Sequence, residues 1–315
     1  MGRALEGKVA LVTGASQGGT GRAIAVRFAA EGAKVAVTAR SEDGLRDTLA
    51  AIDDVGGEGL VLPADLGDPQ GARTTLVSDT EEAFGPIDIL VNNAMGTIFK
   101  PVDEWTLSDI DEMHQINVYA PWLLMGEVMP GMRARGRGWI LNLTSSAAEL
   151  PPGPPWGFVA KAGFAGYSTT KAALNRLTVT AAAETEGQGI AVNALTPGAS
   201  ISTDSIVASG SMARMVGEDG LEWVFEPVDA MAEAALALCT GDPDVLTGRI
   251  AYSLQLLVEL DRPVHDLRGH DLVEGFQPPD LPRRIRRQWQ FHRDIGGPDE
   301  QAFARSSTPL PDALR

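Results

Sequence analysis

KVALVTGASQGGTGRAIAVRFAAEGAKVAVTAR, residues 8–40, is the stretch on which the fold turns. Its first five residues, KVALV at 8–12, are a short unbroken apolar run and read as a strand buried on both faces. A glycine-rich turn follows, then RAIAVRFAAEG at 22–32, where alanine and spaced apolar residues favour helix and Gly32 offers a C-terminal stop. A second apolar run, KVAVT at 34–38, completes a strand, helix, strand unit.

Outward from this unit the same kind of run recurs as GLVL at 59–62, IDILV at 87–91, WILNL at 139–143, IAVNAL at 190–195 and GRIAY at 248–252. Helix-like segments lie between them, one being EPVDAMAEAALALCTG, with Pro227 near its start and Gly241 just past its end. Most of the runs are continuous rather than alternating, as a parallel sheet covered on both faces requires. The order predicts an α/β fold with a doubly wound parallel sheet of seven strands, Rossmann-type, followed by a C-terminal extension. Neither internal repeats nor a long low-complexity tract interrupts the chain.

The glycine turn carries the first chemical signal. Gly14, Gly18, Gly19 and Gly21 let the backbone turn sharply and approach a pyrophosphate, whose charge is met by amides at a helix N-terminus. The strict G-x-G-x-x-G spacing is not met, because Ile24 stands where the third glycine belongs. At the end of the second strand, where a carboxylate would take the ribose hydroxyls of NAD(H), the chain has Ala39, Arg40 and Ser41. Arg40 favours the 2′-phosphate of NADP(H) over NAD(H). A competing reading leaves Arg40 solvated, with Ser41 as a helix cap and Glu42 and Asp43 in the first helical turn.

Composition narrows the function. The 315-residue chain has a formal net charge of -16, which disfavours nucleic acid or an anionic membrane as partner. The single cysteine, Cys239, forms no intrachain disulfide, and the N-terminus enters a strand without a signal-peptide pattern, so the expected location is cytoplasmic. No run reaches the length of a membrane span. His114, His265, His270 and His292 lack metal-ligand spacing.

Taken together, TGASQGGTG after the first strand, Asp65-Leu66 after the third, NNA at 92–94 after the fourth, Asn117 in QINVYAP, NLTSS at 142–146, YSTTK at 167–171 and NALTPG at 193–198 resemble the classical short-chain dehydrogenase/reductase family. The resemblance covers about residues 7 to 254 in the family's order. It divides the chain into a dinucleotide-binding catalytic domain, 1–254, and an extension, 255–315, packing on that domain or on a neighbouring subunit. It implies Tyr167 as general acid/base, Lys171 as its activator and ribose ligand, Ser145 on the substrate oxygen, and Asn117 anchoring a water in the proton path. A phenol titrates near 10, so a cation four residues along one helix face suits that chemistry independently. The cofactor would be held by Gly14, Ser16, Gly19, Thr20, Gly21, Arg40, Asp65, Leu66, Asn93, Ala94, Pro197, Gly198 and Ser202, with Tyr167 and Lys171.

The implied activity is NAD(P)-dependent interconversion of a secondary alcohol and a ketone on a small-molecule hydrophobic substrate, steroid- or terpenoid-like, by a homodimer or homotetramer. Alternatives are a β-ketoacyl reductase and a catalytically silent dinucleotide-binding regulator. Three departures stand out: the glycine turn is one residue longer than usual, Met95 replaces the glycine expected after NNA, and the segment from Ser145 to Tyr167 is extended. That segment holds Pro151, Pro152, Pro154 and Pro155 with Trp156, Phe158 and Phe164, and reads either as the lid of an apolar site or as a loop anchored to the core or another subunit. Residues 199–225 read as a second substrate wall, with Met212, Met215, Trp223 and Phe225 for an adaptable pocket. In the extension, PRRIRRQWQFHRD suggests a solvated or subunit-docking segment, the prolines Pro263, Pro278, Pro279 and Pro282 break regular structure, and the last ten residues are expected to be disordered.

Overall fold

A computed structural model describes residues 2–16, 18–157, 159–203 and 224–297. The apolar runs become β1 (Val9–Thr13), β2 (Lys34–Thr38), β3 (Glu58–Val61), β4 (Ile89–Asn92), β5 (Gly138–Leu143), β6 (Ile190–Thr196) and, after a separate two-residue ladder of β7 (Ser200–Ile201) with β8 (Phe225–Glu226), β9 (Ile250–Tyr252). The seven long-range partners form one sheet in the order β3-β2-β1-β4-β5-β6-β9, every pairing parallel.

Period-two alternation sends successive residues of β1 to opposite layers. Ala10 and Val12 join a core with Ile24 and Phe28 of helix α1 (Thr20–Ala30) and Leu45 and Ile52 of α2 (Glu42–Asp54). Val9 and Leu11 face the other core, with Leu76 of α3 (Leu76–Phe84) and Leu124, Val128 and Met132 of α5 (Ala120–Arg135). The helix α4 (Leu107–His114) precedes α5, and α6 (Ala165–Glu184) adds Ala181 and Ala182 to the second core. The first core continues into α7 (Val228–Thr240) and α8 (Ser253–Glu259).

The extension departs from its sequence reading. PRRIRRQWQFHRD is not irregular: it lies in α9 (Leu281–Ile295), a fifteen-residue helix with Pro282 in its first turn, where a missing amide hydrogen is harmless. Leu281, Ile285 and Trp289, spaced by four, seat it on the same core as β1 and α1, while the arginines lie on other faces. The final residues, 298–315, lie outside the described residues.

Between β1 and β4 the winding reverses, so their C-terminal ends leave a crevice, the place where doubly wound sheets take ligands. Helix α2 closes one side of it by close approach. At Gly44 a Cβ would stand 1.9 Å from the Ser16 carbonyl oxygen, and Thr48 Oγ1 donates to the Ala15 carbonyl at 2.5 Å. Inside a helix, Gly→Ala normally stabilises by about 1 kcal/mol. Gly126, in α5 with nothing within 4 Å of its would-be Cβ, should follow that rule. Gly126→Ala is therefore expected to raise the midpoint of thermal unfolding, and Gly44→Ala to lower it by forcing α2 off the turn; a rise for both in calorimetry would contradict the packing described.

Candidate active site

The crevice floor is built from backbone groups that glycine exposes. Thr13 Oγ1 accepts from the amides of Asn93 and Ala94, both at 3.0 Å, and Asn93 Nδ2 donates to the carbonyls of Thr13 and Gly14, both at 2.9 Å. Gly14 has φ +67, and a Cβ there would fall 2.6 Å from Ala94 Cα; one at Gly21 would fall 2.3 Å from Asn93 Nδ2. These two glycines thus let the end of β1 and the start of α1 close on NNA. Gly19 is the N-cap of α1 and brings no side-chain cap, and no acid lies in the first turn at Thr20 and beyond, so the leading amides remain available to an anion. Gln17 lies outside the described residues.

Arg40 is exposed at the end of β2 and makes no ion pair among the described residues. Its acidic neighbours are engaged elsewhere, since Arg46 pairs with Glu42 at 2.6 Å and with Asp43 at 3.8 Å. Ser41 caps α2, accepting from the Gly44 amide at 3.2 Å. Asp65 is exposed and accepts the Gly67 amide through Oδ1 at 2.8 Å, while buried Leu66 gives its carbonyl to Arg73 at 2.7 Å. This donor set, with open helix amides and the unpaired guanidinium of Arg40, fits a dinucleotide.

At the end of β5, Ser145 takes extended geometry and its hydroxyl accepts the Ala147 amide at 3.2 Å. Tyr167 and Lys171 rise from the first turns of α6 on one face. Burial pushes the Tyr167 phenol above its ordinary value, and a hydrogen bond with Ser145 opposes that shift. Lys171 is 1% exposed; its Nζ donates to the Leu143 carbonyl at 2.8 Å and lies 5.8 Å from the Tyr167 ring centre. One backbone acceptor leaves two ammonium hydrogens to donate. Burial lowers the Lys171 value from 10.5 to about 8.

Asn117 sits in a π-helical turn, Gln115–Tyr119, between α4 and α5, and is fully buried. Its Oδ1 accepts the Gly96 amide at 2.8 Å, and its Nδ2 donates to the Gly96 carbonyl and to Thr170 Oγ1, both at 3.0 Å. The side chain clamps the strand after NNA against α6.

Met95 is exposed, and its sulfur lies 3.8 Å from the Tyr167 hydroxyl, which donates toward it. Phe164, from the proline-rich segment, packs 4.8 Å from Phe99 and 6.4 Å from Tyr167, and Phe99 lies 5.9 Å from Tyr167. Phe99 was not singled out from sequence; only its place five residues after NNA pointed to it. Trp156 is 47% exposed, and Phe158 lies outside the described residues, as do Met212, Met215 and Trp223. Phe225 is half-buried in β8. Across the opening, Gly198 after Pro197 is held by Glu226 and His292, and Ser202 donates its amide and hydroxyl to the Glu226 carbonyl at 2.9 and 3.1 Å.

Residues 8–212 match the family model for short chain dehydrogenases. An uncharacterized oxidoreductase of Thermotoga maritima is 37% identical over 210 residues, 67% of this chain and 76% of that protein. A 7alpha-hydroxysteroid dehydrogenase of Escherichia coli K12 is 32% identical over 249 residues, 78% of this chain and 92% of the relative. Among solved structures, a metagenomic short-chain oxidoreductase in complex with NADP superposes with a TM-score of 0.62 at 29% identity, covering 78% of this chain and 96% of the other.

The burial of Lys171 has a measurable consequence. Its folded value, about 8, lies below the ordinary 10.5, so at pH 7 the protein keeps a charge that burial disfavours, and the penalty fades as pH rises from about 8 to 10.5. Lys171→Met should therefore unfold about 1–2 kcal/mol less readily than the parent at pH 7, the gap closing toward pH 10 in denaturant titrations. A pH-independent gap, or a less stable variant at pH 7, would contradict the desolvation argument.

Proposed function

Given that the chain belongs to the short-chain dehydrogenase family, we propose that it is an NADP(H)-dependent oxidoreductase interconverting a secondary alcohol and a ketone on a bulky hydrophobic skeleton. The family membership makes it an oxidoreductase of the NAD(P)-dependent kind. The observation that carries the finer reading is the Tyr167 side chain, its hydroxyl bonded to Ser145, with a buried ammonium 5.8 Å from its ring centre and Met95, Phe99 and Phe164 around it.

When bound, the nicotinamide supplies or accepts the hydride. The chain's own residues do the rest. The α1 amides and the turn through Gly14, Ser16, Gly19, Thr20 and Gly21 bind the pyrophosphate, and Arg40 binds the 2′-phosphate. Asp65, Leu66, Asn93 and Ala94 line the path along the strand ends, and Pro197, Gly198 and Ser202 hold the far end. Lys171 directs its two remaining donors at ribose hydroxyls. Ser145 fixes the substrate oxygen, and Tyr167 Oη delivers the proton in reduction or takes it in oxidation. A neutral phenol, favoured by burial, is the form that donates. Asn117 keeps Gly96, and with it Met95, in register with α6.

The apolar rim supports a hydrophobic substrate, and the Escherichia coli relative, named for a hydroxysteroid, supports a fused-ring one. A silent regulator would have no use for the full Asn117, Ser145, Tyr167 and Lys171 set. Tyr119, just before α5, and Trp122 and Leu123 in its first turn are each more than 40% exposed, which suits a homodimer or homotetramer. We place the enzyme in the cytoplasm; no helix among the described residues is long and apolar enough to cross a membrane.

Tyr167→Phe should lower ketone reduction about 1000-fold while NADPH still quenches protein fluorescence with its parental dissociation constant. Turnover within tenfold of the parent would refute the acid/base role. Arg40→Asp should shift the NADPH-to-NADH ratio of kcat/KM toward NADH by about 100-fold or more; an unmoved ratio would remove Arg40 from the cofactor site.

A further inference from the structure

Gly198 closes the β6 end of the site, and side chains satisfy both of its backbone polar groups. Its amide donates to Glu226 Oε1 at 2.7 Å, and its carbonyl accepts from His292 Nε2 at 2.6 Å. Gln288 Nε2 donates to the same Glu226 oxygen at 2.9 Å, and Ser253 Oγ donates to the other. Glu226, Ser253, Gln288 and His292 are all at most 5% exposed. Burial raises the Glu226 value, and the four donors, including the Ala199 amide, oppose that shift.

All four side chains lie beyond residues 8–212, the part that matches the family model. Two of them come from α9. Leu281, Ile285 and Trp289 seat this helix on the core, and Gln288 and His292, four apart, form a polar strip beside that apolar stripe. The approach is tight: a Cβ at Gly198 would fall 2.4 Å from Gln288 Oε1. The helix also ends against the proline-rich segment, since a Cβ at Gly157 would fall 2.4 Å from Gly296 Cα. A buried carboxylate with directed donors adds less stability than an apolar cluster of equal volume, but it holds its partners in one arrangement.

We propose that α9 is a brace that positions the Pro197–Gly198 turn for the nicotinamide half of the cofactor, with Gln288 and His292 as positioning residues acting through Glu226 and Gly198. This rests on the cofactor reading above. The brace acts at one end of the dinucleotide only, whereas the adenosine end is held by Arg40 and α1, on the other side of the switch point.

The test uses the full-length protein and two probes, NADPH and 2′,5′-ADP, titrated by calorimetry. Gln288→Ala and His292→Phe should each weaken NADPH about tenfold and leave 2′,5′-ADP within about twofold of the parent. His292→Gln, which restores an N–H toward the Gly198 carbonyl, should recover most of the NADPH affinity. Gln288→Asn, which keeps the amide but withdraws it by one methylene, gives the same split if the alanine variant does not fold. Equal weakening of both probes, no weakening of either, or absence of rescue by His292→Gln would overturn the brace. A parent protein that binds neither probe would overturn the cofactor reading itself.

Discussion

The site depends on one constraint: at the reversal of the sheet, the end of β1 must meet the end of β4 closely enough that positions 14 and 21 have no room for a Cβ. Thr13 and Asn93 make that junction by exchanging hydrogen bonds across it, Thr13 Oγ1 accepting two amides and Asn93 Nδ2 donating to two carbonyls. The glycines at 14 and 21 are required by this contact as much as by any phosphate, because a methyl group at either would strike Ala94 or Asn93. A turn locked in this way presents the first amides of α1 along a fixed direction. Everything downstream, including where a nicotinamide could reach relative to Tyr167, inherits its geometry from that junction.

Two ionisable groups are buried on either side of the opening, and their surroundings differ. Lys171 has one backbone acceptor and is left with hydrogens to donate, so its burial is only partly compensated. Glu226 is surrounded by donors from Gly198, Ala199, Ser253 and Gln288. An under-satisfied cation is suited to receiving a ligand, whereas a fully bonded carboxyl group is suited to holding protein backbone in place. Polar contacts deeper in the sheet serve the same end: Asn92 donates to Asn142 across paired positions of β4 and β5, and Asn142 donates to Thr178, tying α6 to the strand that carries Ser145. These bonds fix α6, which carries Tyr167, against β5, which leads into Ser145.

The seven strands were legible because strands covered on both faces admit few polar residues, and each apolar run became a strand of the one sheet. Helices α1 and α7 were legible from alanine content and from stop signals, Gly32 adopting φ +92 after α1. What sequence could not supply was contact between distant segments. Phe99 reads as one aromatic in a loop until the fold brings it onto Tyr167 and Phe164. Gly44 looks like a poor helix residue until the Ser16 carbonyl is placed against it. Helix α9 was hidden by its composition, since arginines at 283, 284, 286 and 287 mask the four-residue spacing of Leu281, Ile285 and Trp289. That spacing is the signal the sequence carries for the helix. Of residues 199–225, which read as a second substrate wall, 204–223 lie outside the described residues.

The family resemblance and the hydrophobic core end at different places, and the difference bears on the extension. The matched region stops at residue 212, yet one core runs from Val12 and Ile24 through Leu236 and Leu254 to Ile285 and Trp289. Without α9, the apolar surface of α8 and the buried Glu226 would both face water, the first unfavourably and the second with one donor fewer. A boundary at residue 254 therefore separates sequence patterns but cuts through a single packed layer. The helix that covers this layer also bonds Gly198 through His292, and its C-cap Gly296 lies against Gly157, so the packing that holds the extension also ties it to the segments that follow β6 and β5.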